Sequence, residues 1–437
     1  MFFLGKFNIY TPDGVQDILF EDCYIKRNIE DSIRKVFRSA GFFEIETPVL
    51  EFYDLFLVDE ESIPQESMFK FFDQQGKILV LRPDITIPVA RVAATKYKNI
   101  EIPLKFSYIG DTFRYNESGG GRQKEFTQAG VELMGIKSPK ADAEVIITAI
   151  NALKSCGLEN FEIDIGQVDF FKGLMEETRL SKQYVEEIKK LIDRKDFIGI
   201  EELIRECDVS KELKELILEL PRLFGDTDVI EIAEKRVSGR SALDALNYLR
   251  QVIEIMEDSG LKKYVLVDLG MVQSLNYYTG VIFRGFTAGV GYPVLSGGRY
   301  DNLMAKLGKD LPATGFSIGI NVMMSALKKQ NICVSKPAVD VLICYENKVR
   351  KTAFGICERL RGLDFVVEMD VMEDCIKKKL DYAKAKEISW VLHLINGEDT
   401  IFYDIKSGDI DKLSTKELAR SDFDELFKHS FGKRQTF

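Results

Sequence analysis

Histidine is nearly absent. The 437 residues contain two, His393 and His429, both near the C-terminus. That weighs against a Ser–His–Asp arrangement or an imidazole-based metal site in the main body of the chain. Cysteine is sparse and scattered. The seven cysteines, at 23, 156, 207, 333, 344, 357 and 375, are odd in number and include no C-x-x-C pair. This argues against a zinc site or a disulfide framework and for reduced thiols in a cytoplasm. No apolar run approaches the length of a membrane span. The opening MFFLGKFNIYTPDG lacks a basic stretch followed by a long apolar one, so it does not read as a signal peptide. A basic surplus is missing too. The formal net charge is −10, whereas non-specific nucleic-acid binders carry positive charge. After residue 336 acids and bases nearly balance, so a basic face there has no support from the count.

What is present is an ordinary globular composition, 45% hydrophobic and 30% charged. The chain is too long for one typical core, so two or three domains are expected. Residues 17–40 set Ile25, Ile29, Ile33, Val36, Phe37 and Ala40 on one helical stripe, ended by Gly41. FFEIETPVLE reads as a strand leading into Pro48. ILVLRPDITIPVARVAATKY reads as a strand, a turn at Pro83 and a helix. LKFSYIGDTFRYNESGGGRQKEFTQAGVELMG is the clearest hairpin, with two β-favouring runs around a polar, glycine-rich loop. A helix at about 139–155 and a strand, FEIDIG, follow.

Beyond residue 167 the chain changes character. Glu, Lys, Leu and Ile at helical spacing predict a helical insertion, bounded at 167–255. Strands resume at KYVLVDLG and run on to TGFSIGI. After a junction at Lys336-Pro337, VDVLICYE, DFVVEMD and ISWVLHLI alternate with helices. This predicts a small α/β module with a parallel sheet. The expected fold class is α+β: a core with an antiparallel sheet at 1–166 and 256–335, the insertion, and the module at 336–437. GGGR, within the hairpin loop, lacks the strand–helix context of a dinucleotide site. No cofactor, metal or catalytic residue is expected.

Asp84, Thr86, Gln128 and Glu132 lie within or beside predicted strands, where polar groups are costly to bury unpaired. Two carboxylates with a threonine and a glutamine suit a pocket for an amino acid, which needs an acceptor for ammonium and partners for a side chain. Taken singly, a solvated sheet edge is the commoner outcome. Glu132 follows Gln128 by four residues, so in a strand both face one side. In MVQSLNYYTGVIFRGF, Tyr277 and Tyr278 are expected to alternate across a strand, one of them serving as pocket wall or core aromatic. SGGRYD either brings backbone close to a ligand through its glycines or starts a helix. Arg114 and Arg122 flank the glycine loop, either to hold phosphate or carboxylate or as surface arginines.

The order of these segments is far more specific than any one of them. It resembles the class II histidyl-tRNA synthetase family over nearly the whole chain. GFFEIETPVLE, with Pro48, is similar to motif 1, which forms the dimer interface in that class. LRPDITIPVAR resembles the segment that helps bind the amino acid. TFRYNESGGGRQKEFTQAGVELMG resembles motif 2, with Arg114 at its arginine. LNYYTG and SGGRYD are similar to the two histidine motifs, TGFSIGINVM to motif 3, and the module after 336 to an anticodon-binding domain. The resemblance implies a histidine pocket made of Asp84, Thr86, Arg114, Gln128, Glu132, Tyr277 and Tyr278.

The departures matter as much as the matches. Motif 3 in the family ends in glycine, a hydrophobic residue, an acid and arginine; here it reads Gly319, Ile320, Asn321, Val322. The first histidine motif begins arginine-glycine-leucine-aspartate; here it reads Gln273, Ser274, Leu275, Asn276. Thr127 stands where a histidine is usual. Two cations that serve ATP are thus uncharged, while the amino-acid half is kept. This pattern is similar to a paralogous family, the regulatory subunits of ATP phosphoribosyltransferase. That likeness implies a non-catalytic partner of a short-form catalytic subunit in the first step of histidine biosynthesis, with feedback by histidine. It also implies a homodimer within a larger hetero-oligomer. A working synthetase with a rearranged ATP site and a stand-alone histidine sensor are the other readings.

Overall fold

The computed structural model describes residues 9–59, 63–97, 101–115, 123–272, 277–332 and 338–419. The chain divides into two compact units, 1–334 and 335–437.

In the first unit the strands are β1 (Phe43–Glu44), β2 (Leu50–Phe52), β3 (Lys70–Phe72), β4 (Ile78–Leu81), β5 (Leu104–Phe113), β6 (Glu125–Met134), β7 (Phe161–Gln167), β8 (Phe224–Gly225), β9 (Val265–Asp268), β10 (Val281–Thr287), β11 (Leu295–Arg299) and β12 (Ala313–Gly319). Nine of them form one sheet in the order β1-β5-β6-β12-β11-β10-β7-β9-β8, and β2-β4-β3 form a small second sheet. The large sheet is antiparallel except at two pairs, β1 with β5 and β7 with β9. The second of these is a crossover pair, bridged by the helices that follow β7.

The predicted helical stripe forms the helix Phe20–Ser39, which buries Ile29, Ile33 and Phe37. Gly41 just beyond it has φ +79, a conformation that glycine adopts without a Cβ clash. The helix Pro139–Ser155 starts on the Ser138 side chain, which accepts from the Ala141 N–H, with proline in its first turn. These helices, with Arg240–Asp258 and Ile320–Lys329, pack on one sheet face around Phe316, Ile318 and Val131. Ile188, Ile192, Ile204 and Leu216, from the helices between β7 and β9, belong to the same buried cluster. The opposite face carries a smaller core, in which the helix Thr86–Lys96 packs against Phe106, Tyr108 and Met134. The candidate pocket lies on this second face.

In the second unit the strands are β13 (Val341–Tyr345), β14 (Val367–Met369), β15 (Trp390–Leu394), β16 (Asp399–Asp404) and β17 (Ile410–Ser414), in the order β14-β13-β15-β16-β17. The expected parallel sheet is only half of it. β13 pairs in parallel with β14 and β15, but β16 and β17 form an antiparallel hairpin added to the edge. DTIFYDIKSGDIDKLS carries this hairpin around a turn whose Gly408 has φ +85, and its polar strands gave a weak apolar signal.

The six cysteines among the described residues are unpaired thiols. Among the described residues, no helix is long and apolar enough to cross a membrane, and no group of His, Cys, Asp and Glu could hold a metal. The junction Lys336-Pro337, Arg122 and residues 273–276 lie outside the described residues.

Candidate functional site

The site is built on the β5–β6 hairpin. Glu132 pairs with Phe106 and Gln128 with Gly110, so the even-numbered residues of both strands share one face. Gln128, Glu132 and Tyr108 therefore stand in neighbouring rows. Glycines leave room above them: a Cβ on Gly110, Gly130 or Gly315 would collide with Arg82, Tyr108 or Glu132. The turn after β4 supplies Asp84, whose Oδ1 accepts from the Ile87 N–H at 3.2 Å. Thr86 opens the helix Thr86–Lys96, and its side chain meets Asp84, Glu132 and Tyr108.

Glu132 is the centre of this arrangement, with 1% of its surface exposed. Its Oε1 accepts from the Tyr108 hydroxyl at 3.3 Å and its Oε2 from the Tyr300 hydroxyl. Burial pushes its pKa up to about 8; the hydroxyls of Tyr300, Thr86 and Tyr108 resist this, and the Asp84 charge adds to it. Burial thus shifts Glu132 toward its neutral form near neutral pH. Asp84 is also raised by burial, which the Arg114 guanidinium and the Ile87 N–H oppose. Gln128 Oε1 is buried and has no hydrogen-bond partner among the described residues.

Arg114 lies just past the end of β5. Its Nε donates to the Pro83 carbonyl at 3.0 Å, and its guanidinium sits 5.3 Å from the Phe126 ring centre. Tyr277 and Tyr278 do not alternate in a strand, as the spacing had suggested. Both precede β10, in a turn region where Thr279 N–H donates to the Arg299 carbonyl at 2.7 Å. Their rings meet edge to face at 4.8 Å, and Tyr277 stacks on Tyr300 at 5.4 Å. The SGGRYD segment is a strand that runs directly into the helix Asp301–Lys306. The structure thus brings Asp84, Thr86 and Glu132 together, puts Gln128 on the same strand face as Glu132, links Tyr277 to Glu132 through Tyr300 with Tyr278 against Tyr277, and holds Arg114 on the 83–84 turn.

Sequence reasoning missed Tyr108 and Tyr300, which clamp Glu132. Tyr108 was accessible in principle, because hairpin register puts it on the face of Glu132. It also missed the buried Arg299. That guanidinium, 1% exposed, grips Asp142 with Nη2 to Oδ1 at 2.8 Å and Nε to Oδ2 at 3.1 Å. It also donates to the Ile136 carbonyl and to Asp301, while Tyr248 donates to Asp142 at 2.7 Å. Burial opposes the Arg299 charge, but the Asp142 carboxylate outweighs it and holds the guanidinium protonated. Asp142→Ala is expected to destabilise the fold by ~3–5 kcal/mol, because it removes the bidentate partner of a buried cation and leaves it only Asp301. Urea denaturation of variant and wild type measures this.

The Glu132 proton makes stability depend on pH with a definite sign. The folded state raises this carboxyl from its usual 4.5 to about 8, so its favourable contribution is complete below pH ~4.5 and is lost as pH rises toward about 8. The unliganded protein should melt at lower temperature at pH 8.5 than at pH 6. Glu132→Gln should flatten that difference, since it removes up to ~1.4 kcal/mol per pH unit of dependence.

The fold and the site geometry define a class II histidyl-tRNA synthetase-like protein, and the histidyl-tRNA synthetase family pattern matches residues 14–323. A histidyl-tRNA synthetase from Nostoc has the same fold, with a TM-score of 0.82 at 21% identity, over 97% of this chain and 100% of that one. Closer similarity is more specific. An Acetivibrio thermocellus protein named ATP phosphoribosyltransferase regulatory subunit is 58% identical over 96% of this chain and 100% of its own length. A Clostridium botulinum protein of that name is 41% identical over 95% and 99%. A Bacillus halodurans structure, titled ATP phosphoribosyltransferase regulatory subunit/histidyl-tRNA synthetase, aligns at a TM-score of 0.80 and 31% identity over 89% and 99%. The chain belongs to the ATP phosphoribosyltransferase regulatory subunit family.

Proposed function

We infer that this chain is a non-catalytic regulatory subunit of ATP phosphoribosyltransferase, the enzyme that joins ATP and phosphoribosyl pyrophosphate in the first step of histidine biosynthesis. The observation that carries the reading is the near full-length similarity to relatives of that name. The site supports it. The amino-acid half is a closed set of acceptors and hydroxyls around Glu132, Gln128 and Asp84. The positions that would meet ATP hold Val322 and Gln273.

Histidine is the ligand that this pocket fits. Asp84 and Gln128 Oε1 take its ammonium group, Glu132 its imidazole N–H, and Tyr277 and Tyr278 wall the ring. Thr86 and Arg114 complete the site. The protein works in the cytoplasm. Residues 1–166 with 256–335 form the synthetase-like core, 167–255 a helical insertion and 336–437 a separate module. The segment resembling motif 1 supports a homodimer, because Phe43, Leu50 and Phe52 lie exposed there, and large apolar groups clustered at a surface mark association sites. That dimer joins short-form catalytic subunits in a larger hetero-oligomer.

The test is reconstitution. The chain alone is expected to show no phosphoribosyl transfer, and to raise the rate of a purified short catalytic subunit when the two are mixed. Histidine is then expected to lower that rate. Mixing without any rise would overturn the reading.

A further inference from the structure

Arg299 is bonded on both faces of the large sheet. It ends β11, and the next residue is Tyr300, whose hydroxyl donates to Glu132. The Arg299 carbonyl accepts from the Thr279 N–H at 2.7 Å, and the Thr279 hydroxyl accepts from the Asp301 N–H at 2.8 Å. The turn that carries Tyr277 and Tyr278 is therefore fastened on either side of Tyr300. Two glycines permit the close approach. A Cβ on Gly298 would strike the Tyr278 ring at 2.8 Å, and one on Gly280 would press on the Arg299 side chain at 3.0 Å.

The guanidinium of the same residue is bonded on the opposite face. There Asp142, on the helix Pro139–Ser155, takes its Nη2 and Nε on separate oxygens. Asp142 Oδ2 also accepts from the Tyr248 hydroxyl, and Tyr248 lies on the helix Arg240–Asp258, between β7 and β9. Thr279, Arg299, Asp142 and Tyr248 thus form a continuous hydrogen-bonded path through the sheet. Its two central members are each 1% exposed, so water does not compete for their bonds, and a buried polar network of this kind is rigid as a unit.

We propose that this path couples the pocket to the helix Arg240–Asp258, with Tyr248 as a positioning residue for the ligand. The proposal rests on the histidine-pocket reading and adds the route by which an occupied pocket is felt elsewhere in the chain. A ligand against Tyr277, Tyr278 and Tyr300 orders the turn. The turn fixes Arg299, and Asp142 passes that order to Tyr248. The coupling is reciprocal: whatever an occupied pocket does to tighten the helix, a loosened Tyr248 does to weaken binding.

The experiment compares the full chain with Tyr248→Phe, which removes only the hydroxyl. Tyr184→Phe, at an exposed position of the helix Lys182–Asp193, is the control. Each protein is titrated calorimetrically with histidine, melted, and followed by amide hydrogen exchange with and without saturating histidine. In wild type, histidine is expected to slow exchange in the helix Arg240–Asp258 more than in Lys182–Asp193. In Tyr248→Phe that extra slowing should vanish and affinity for histidine should fall roughly 5-fold or more, while Tyr184→Phe behaves as wild type. Wild type that binds histidine without the extra slowing overturns the proposal and leaves the histidine pocket standing; this arm decides even if Tyr248→Phe does not fold. A folded Tyr248→Phe with undiminished affinity and slowing overturns it as well. No binding of histidine by wild type overturns the pocket reading, and this proposal with it.

Discussion

Histidine-dependent exchange of pyrophosphate into ATP is expected to stay at background in the purified protein, however much histidine is supplied. Adenylation of a carboxylate builds negative charge on phosphorus, and fixed cations aimed at that charge supply much of the rate. Removing one such group costs on the order of 10²–10³. Val322 occupies the position that resembles the motif 3 arginine. It lies on the helix Ile320–Lys329, packed against the main core. Its neighbour Asn321, where the family has an acid, is committed to structure: Oδ1 accepts from the Thr127 N–H at 3.0 Å, and Nδ2 donates to Gln123 at 2.6 Å. Gln273, in the segment that resembles the first histidine motif, lies outside the described residues but is uncharged in any conformation. If the resemblance holds at both positions, two cations are absent and the expected loss compounds to ~10⁴ or more. Val322→Arg alone is expected not to restore exchange, because the charge at 273 is still absent. Exchange by wild type at an ordinary enzymatic rate would refute this.

Much of the fold could be read from the sequence because its elements are locally coded. The stripe from Ile25 to Phe37 encodes the helix Phe20–Ser39, and the two β-rich runs around a glycine loop encode the β5–β6 hairpin. The even spacing of Gln128 and Glu132 was enough to put them on one face. The rest depends on distance along the chain. Tyr300 reaches Glu132 across 168 positions and Arg299 reaches Asp142 across 157, and no local pattern encodes such pairs. Tyr277 and Tyr278 misled for a related reason. Their β-favouring neighbours suggested a strand, but the turn is imposed from outside, by the Thr279 N–H bonding to the Arg299 carbonyl and by Tyr277 stacking on Tyr300. The proton on Glu132 was equally hidden. Residue type predicts an anion, and only burial, working against the hydroxyls of Tyr300, Thr86 and Tyr108, raises the carboxyl toward its neutral form.

Glu132→Ala is expected to weaken histidine binding at least tenfold, and by more if the bound imidazole carries a proton. Glu132 and Gln128 share the pocket face, and Tyr108 and Tyr300 hold the Glu132 carboxyl from either oxygen, so its position is fixed before any ligand arrives. A neutral imidazole whose unprotonated ring nitrogen meets it takes up the carboxyl proton, and the resulting imidazolium N–H donates to the carboxylate in a charge-assisted bond. Truncating one partner of such a buried pair costs ~2–5 kcal/mol, and each ~1.4 kcal/mol is a factor of ten in affinity. The same substitution strips an acceptor from two buried tyrosine hydroxyls, which costs ~1–3 kcal/mol for each one left unsatisfied. The variant should therefore melt earlier as well as bind less. Glu132→Gln separates the two effects. Its amide oxygen still accepts from a tyrosine, so stability should largely recover, while the charged acceptor for imidazole is gone and affinity should stay low. Calorimetric titration of histidine into all three proteins, with a melt on each, reads both quantities. If Glu132→Gln folds like wild type and binds histidine as tightly, the imidazole does not rest on Glu132, and that part of the proposed pocket is wrong.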